Sequence, residues 1–145
     1  MKIQEKDQFH GSALTQIVED KSFKALNRGS EKYGHYLVNA DHHVFVKYRK
    51  TKSSPWQFLF TSDELMAIHA VAAENKKVFV CLVCGTVTVC ALDRSEFTSL
   101  IDLSTAGRQW IRIEVPKGGS CHVSGSNGSL SSTVPHNSFP KKVFM

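Results

Sequence analysis

No run of apolar residues approaches the roughly 20 needed to cross a bilayer, and Met1-Lys-Ile-Gln-Glu-Lys-Asp-Gln lacks the apolar core of a signal peptide. A cytoplasmic chain with no membrane partner is therefore expected. Cysteine is scarce: only Cys81, Cys84, Cys90 and Cys121 are present. The first three fall inside apolar strand-like runs, which points to buried thiols in a reducing compartment rather than a disulfide framework. Cys81 and Cys84 have Cys-x-x-Cys spacing, but residues three apart on a strand face opposite ways, so neither a zinc knuckle nor a redox motif is favoured. There is no Gly-x-x-x-x-Gly-Lys-Ser/Thr phosphate loop and no internal repeat. No Ser/His/Asp constellation can be argued, because spacing alone gives such residues no geometric relation.

Acidic residues are scarce at both ends of the chain. Residues 1–60 carry ten Lys/Arg against six Asp/Glu, 61–103 carry three against six, and 104–145 carry five against one, for a net charge of +5. That balance is compatible with DNA or RNA as a partner, since Lys and Arg on phosphates release condensed counterions. With 145 residues, 41% of them hydrophobic, the chain can bury a real core as one domain.

The periodicity predicts a single α/β domain over 1–123, with α+β as the alternative, and a flexible Gly/Ser-rich tail over 124–145 whose closing Phe139-Pro-Lys-Lys-Val-Phe-Met could dock on a neighbouring surface. Residues 1–10 read as a loose segment. Leu14, Ile17 and Val18 then mark a helix capped by Ser12. A hairpin follows, His35 to Asn39 returning as Val44 to Tyr48 through an Asn/Asp turn. Trp56, Phe58 and Phe60 share one side of the next strand. Thr61 and Glu64 form a capping box for a helix that Asn75-Lys-Lys ends. Val78–Cys84 is a buried strand, Thr86–Leu92 its hairpin partner, Asp93 and Glu96 a second box, and Gln109–Val115 a last strand. The order is α-β-β-β-α-β-β-α-β in one mixed sheet.

In this order Val44-Phe-Val-Lys-Tyr-Arg-Lys, Trp56–Phe60, Ser62–Asn75 and Val78–Cys84 resemble the restriction-endonuclease-like, or PD-(D/E)XK, superfamily, especially its small Holliday-junction-resolvase and Mrr-type members. The likeness covers residues 33–84. The stretch from Trp56 to Leu65 is also similar to short uncharacterised bacterial proteins of mobile or defence regions. The resemblance implies Mg²⁺ or Mn²⁺ held by two carboxylates, one of them two residues before a lysine. Lys47 matches that lysine, but Phe45 stands at the acidic position. The implied protein is thus motif-degenerate and non-catalytic, with no cofactor, and binds nucleic acid or a protein partner in bacterial defence or DNA processing.

Two alternatives stand beside it: a metal-dependent nuclease with a displaced carboxylate such as Glu31, and an accessory or inhibitor subunit that docks on another protein. Around Lys47, the residues Arg49, Lys50 and Lys52 with Tyr48 and Trp56 offer cations for phosphates and rings for bases. The competing reading is a solvated hairpin edge whose lysines discourage aggregation. His42 and His43 are consecutive and diverge on a strand, while His69 lacks an i+4 partner on its helix. All three suit surface or partly buried roles better than a metal site.

Overall fold

Strong β-formers at 78–83, bounded by the left-handed turn at Gly85, give the strand around which the computed structural model is built; it describes residues 1–74 and 77–145. The expected helix end at Asn75-Lys76 lies outside the described residues. Among these, the helices are α1 (Glu5–Glu19), α2 (Ser62–Ala73) and α3 (Arg94–Leu100). The strands are β1 (Leu26–Arg28), β2 (His35–Val38), β3 (His42–Arg49), β4 (Trp56–Phe60), β5 (Lys77–Cys84), β6 (Thr88–Asp93), β7 (Gln109–Glu114), β8 (His122–Gly125) and β9 (Gly128–Ser129).

The fold is mixed α/β, but the strands divide into two sheets rather than the one expected. A five-stranded sheet runs β1-β2-β3-β5-β6, and a four-stranded sheet runs β4-β7-β8-β9. β3 and β5 are parallel, joined by a crossover through β4 and α2, while the other pairs are antiparallel. The sheets separate because β4 turns away to pair with β7. Its one apolar face, Trp56, Phe58 and Phe60, can then lie against the five-stranded sheet, while Gln57 and Leu59 stay exposed. Each of these rings stabilises the fold by roughly 1.5–3 kcal/mol relative to exposure.

The five-stranded sheet is covered on both faces, which explains the continuous apolar run of β5. On one face Phe45, Val80, Leu82, Cys84, Cys90 and Leu92 meet α2, α3 and the four-stranded sheet. On the other, Val44, Val46, Phe79, Cys81, Val83 and Ala91 meet Ala13 and Ile17 of α1. Cys81 and Cys84 accordingly lie in different cores.

Both predicted capping boxes form: the Thr61 and Asp93 side chains each accept from the amide three residues on, and Glu64 and Glu96 reach back. α1 starts earlier than Ser12. Its box is Gln4 with Asp7, and Ser12 sits mid-helix with its hydroxyl donating to Gln8 O. The apolar spacing marks only the C-terminal half of the helix, where Ile17 is buried but Val18 is exposed.

The other departure is the expected flexible tail. Residues 124–145 complete β8, add β9, and end in two 3₁₀ turns at His136–Ser138 and Lys141–Phe144. Val134 enters the core under the four-stranded sheet, and Phe139 and Val143 enter the core under α1. Lys142 Nζ holds Glu96 Oε1 of α3 at 2.6 Å. These apolar residues stand too far apart in sequence to show a period, so composition alone reads as tail. No helix among the described residues is long and apolar enough to cross a membrane.

Candidate functional site

Three segments that are distant in sequence meet at one end of the five-stranded sheet: the first turns of α1, the loop 28–34 before β2, and the loop 49–52 after β3. Backbone constraints place each of them. Tyr33 and Gly34 both adopt left-handed φ, at 64° and 59°, and Val46 N donates to Gly34 O at 2.9 Å. A Cβ on Gly34 would lie 2.4 Å from Val46 O and 2.8 Å from the His10 ring, so only glycine lets the loop pass between α1 and β3. At the second loop, Trp56 Nε1 donates to Thr51 O at 2.7 Å and Gly85 N donates to Arg49 O at 2.8 Å.

The first two segments enclose a polar cleft of about 360 Å³, lined by Lys6, Asp7, His10, Arg28, Ser30, Glu31 and Tyr33–Tyr36. His10 Nδ1 lies 3.1 Å from the Tyr36 hydroxyl, and its ring meets Tyr36 and Tyr48 edge-on. Burial, and then the nearby Lys6 ammonium, push the His10 pKa down, with Asp7 opposing. Burial pushes the Tyr36 phenol up.

At the wall of the same cleft, His35 is buried. Its Nδ1 lies 3.0 Å from Ser30 Oγ and its Nε2 lies 2.9 Å from His43 Nδ1. The ring stacks on Phe45 at 4.2 Å, and a Cβ on Gly29 would fall 2.4 Å from it.

The residues expected to form a basic patch are divided by strand alternation. Lys47 faces the α2 side, where its Nζ binds Glu64 Oε2 at 2.8 Å and lies 5.1 Å from the Phe60 ring centre. Tyr48 faces α1, stacked on Phe9 at 4.7 Å with its hydroxyl donating to Glu5 Oε1. Lys50 Nζ lies 3.4 Å from Glu5 Oε2, and Arg49 and Lys52 are exposed. Trp56 is buried, so it offers no ring to a base; its indole N–H instead anchors the basic loop.

His42 and His43 diverge as strand neighbours must. His42 is buried, 2.9 Å from Asp41 Oδ1 but not aligned for a hydrogen bond. Phe45 is core, and Glu31 lines the cleft rather than meeting Lys47, whose carboxylate partner is Glu64. Among the described residues, no three His, Cys, Asp or Glu side chains are grouped to hold a metal ion.

Lys6, His10, Arg28, Ser30, His35 and Tyr36 were not legible as site residues. The only sequence signal was the pair of glycines at 29 and 34 bracketing a short polar loop, which by itself reads as a turn. In comparisons with known proteins, no family model, no curated protein and no solved structure matches this chain, so the likeness to restriction-endonuclease-like proteins rests on element order alone.

Proposed function

We propose that this chain binds a polyanion, with nucleic-acid backbone as the chemistry that fits, through the end of the molecule where α1, the 28–34 loop and the 49–52 loop meet. The observation that carries this reading is the gathering of Lys6, Arg28, Lys32, Arg49, Lys50 and Lys52 on these three segments, with Lys2 just ahead of α1, against only Glu5, Asp7 and Glu31. That local excess accounts for most of the net charge of +5. Phosphate contacts need fixed cations rather than a catalytic centre, and Trp56 and Gly85 fix the loop that carries three of them.

A protein partner is the second reading, and one observation favours it. On the outer face of the four-stranded sheet, exposed Leu59 stands directly opposite half-buried Trp110, an apolar pair on an otherwise polar surface.

Titrating single-stranded, duplex and branched DNA across a salt series, with and without Mn²⁺, separates these readings. Binding is expected to weaken steeply with salt. An Arg49→Ala/Lys50→Ala/Lys52→Ala variant should bind more weakly on all three DNAs with a shallower salt slope, because each lost phosphate contact removes about 0.9 from it on duplex. Absence of binding at low salt overturns the polyanion reading and leaves the protein partner in front. Mn²⁺-dependent cleavage would instead favour the nuclease with a displaced carboxylate.

A further inference from the structure

We propose that Ser30 is a nucleophile, activated by His35 and positioned through His43, and that the cleft beside it accepts an ester bearing a negative charge. This goes beyond polyanion binding and, though it shares Lys6 and Arg28 with it, rests on three other side chains in a hydrogen-bonded line, Ser30 Oγ to His35 Nδ1 at 3.0 Å and His35 Nε2 to His43 Nδ1 at 2.9 Å.

An activated serine needs a base within hydrogen-bond reach, and the base needs a third group to hold its tautomer. When His35 donates its Nε2–H to His43 Nδ1, its Nδ1 is left as an acceptor for the Ser30 hydroxyl. That tautomer is the one a general base requires. The Ser30 hydroxyl has a second acceptor, Lys32 O, at the longer distance of 3.3 Å. The base is held rigidly: the His35 ring is clamped between Phe45 and the backbone of Gly29, where no side chain would fit. A histidine that merely filled space would have no need of a glycine against its face and a hydroxyl 3.0 Å from its Nδ1. The nucleophile itself is exposed and lines the cleft, where Lys6 and Arg28, set against Asp7 and Glu31, are the cations available to an anionic substrate and to the oxyanion that develops.

The chemistry balances without any other cofactor. As Ser30 Oγ bonds to the carbonyl carbon, its proton passes to His35 Nδ1, and the resulting imidazolium shares its Nε2–H with His43. Collapse of the tetrahedral intermediate breaks the bond to the alkoxide, which takes the proton from His35 Nδ1. Water then attacks the acyl-Ser30 ester and gives a proton to His35, which returns it to Ser30 Oγ. The products are one carboxylic acid and one alcohol.

The test is labelling of the purified full chain with a fluorophosphonate, read by intact mass and peptide mapping. One adduct is expected, on Ser30, forming faster at higher pH, as attack assisted by a neutral imidazole requires. Ser30→Ala, at an exposed position that the fold can spare, should remove it. His35→Gln should slow it by about 10²-fold or more, the usual contribution of a general base.

His43 acts through His35 and is a positioning residue. His43→Leu should slow labelling, while His43→Gln, which restores an acceptor, should recover part of the rate with a displaced pH profile. A carboxylate-bearing nitrophenyl ester should turn over faster than nitrophenyl acetate, and Arg28→Ala should narrow that preference. No adduct, an adduct that survives Ser30→Ala, or labelling indifferent to His35→Gln in a folded variant would each overturn the proposal. Its failure is distinct from that of polyanion binding, which is read from salt slopes on the 49–52 cations.

Discussion

His10 illustrates how far one residue's role can lie from its sequence context. Placed in a polar stretch, it reads as a surface residue, yet it is half-buried between α1 and the 28–34 loop with the Tyr36 hydroxyl on its Nδ1. Burial and Lys6 favour its neutral form, Asp7 opposes them, and the folded-state pKa is lowered from 6.5. The unfolded chain therefore binds more protons as pH falls below about 6.5, and the stability that His10 contributes is lost between that value and the lower folded one. Melting temperature should decline from pH 7.5 to 5.5, and the decline should be smaller in His10→Asn. An equal decline in both chains would place the titrating group elsewhere. At this scale strand alternation was legible, including the divergence of His42 and His43 on β3 and of Cys81 and Cys84 on β5. The meeting of Ser30, His35 and His43 was not, because it depends on a loop conformation set by two left-handed residues.

Among the elements, those whose signals are local were legible. Two capping boxes and the aromatic face of β4 depend on residues two or three apart, and the structure places them as their spacing predicts. The extent of α1 and the fate of residues 124–145 depend on tertiary contacts, and these the spacing hid. The final 3₁₀ turns are the clearest case. Phe139 and Val143 are buried with Ile17, Phe79 and Val83, while the surrounding glycine, serine and proline suggest a loose end. Phe139→Ala should therefore cost about 3 kcal/mol or more, as truncation of a buried ring does. Urea unfolding monitored by the tryptophans measures it, and a loss below about 0.5 kcal/mol would show that the segment does not belong to the cooperative unit.

For the whole molecule, the defining arrangement is one parallel pair, β3 and β5, inside an otherwise antiparallel scaffold covered on both sides. All four thiols lie within it and are unpaired by disulfides. Burial pushes Cys81 up to about 12 and Cys84 higher still, and Cys90 is raised by donating its S–H to Cys121 and by burial. Cys121 is lowered by that same hydrogen bond but is fully enclosed, bridged to Val134 through its backbone. Native protein should react with iodoacetamide at none of the four positions on the timescale on which unfolded chain reacts at all of them. Selective early modification of Cys121 would show that the Cys121–Val134 bridge opens on its own, ahead of the rest. The two-sheet division was the least legible feature at this scale, because partner choice by β4 is a long-range event that no local pattern records.

The burial of Phe139 and Val143 against the same sheet face as Ala13 and Ile17 has a further consequence during synthesis. A chain emerging residue by residue lays down α1 and all five strands of that sheet before the two side chains that finish the face have left the exit tunnel. Until then an apolar strip beside α1 faces solvent or a chaperone. A ribosome stalled ahead of residue 139 should hold a protease-sensitive nascent chain, and one that has released the last turn should hold a resistant one.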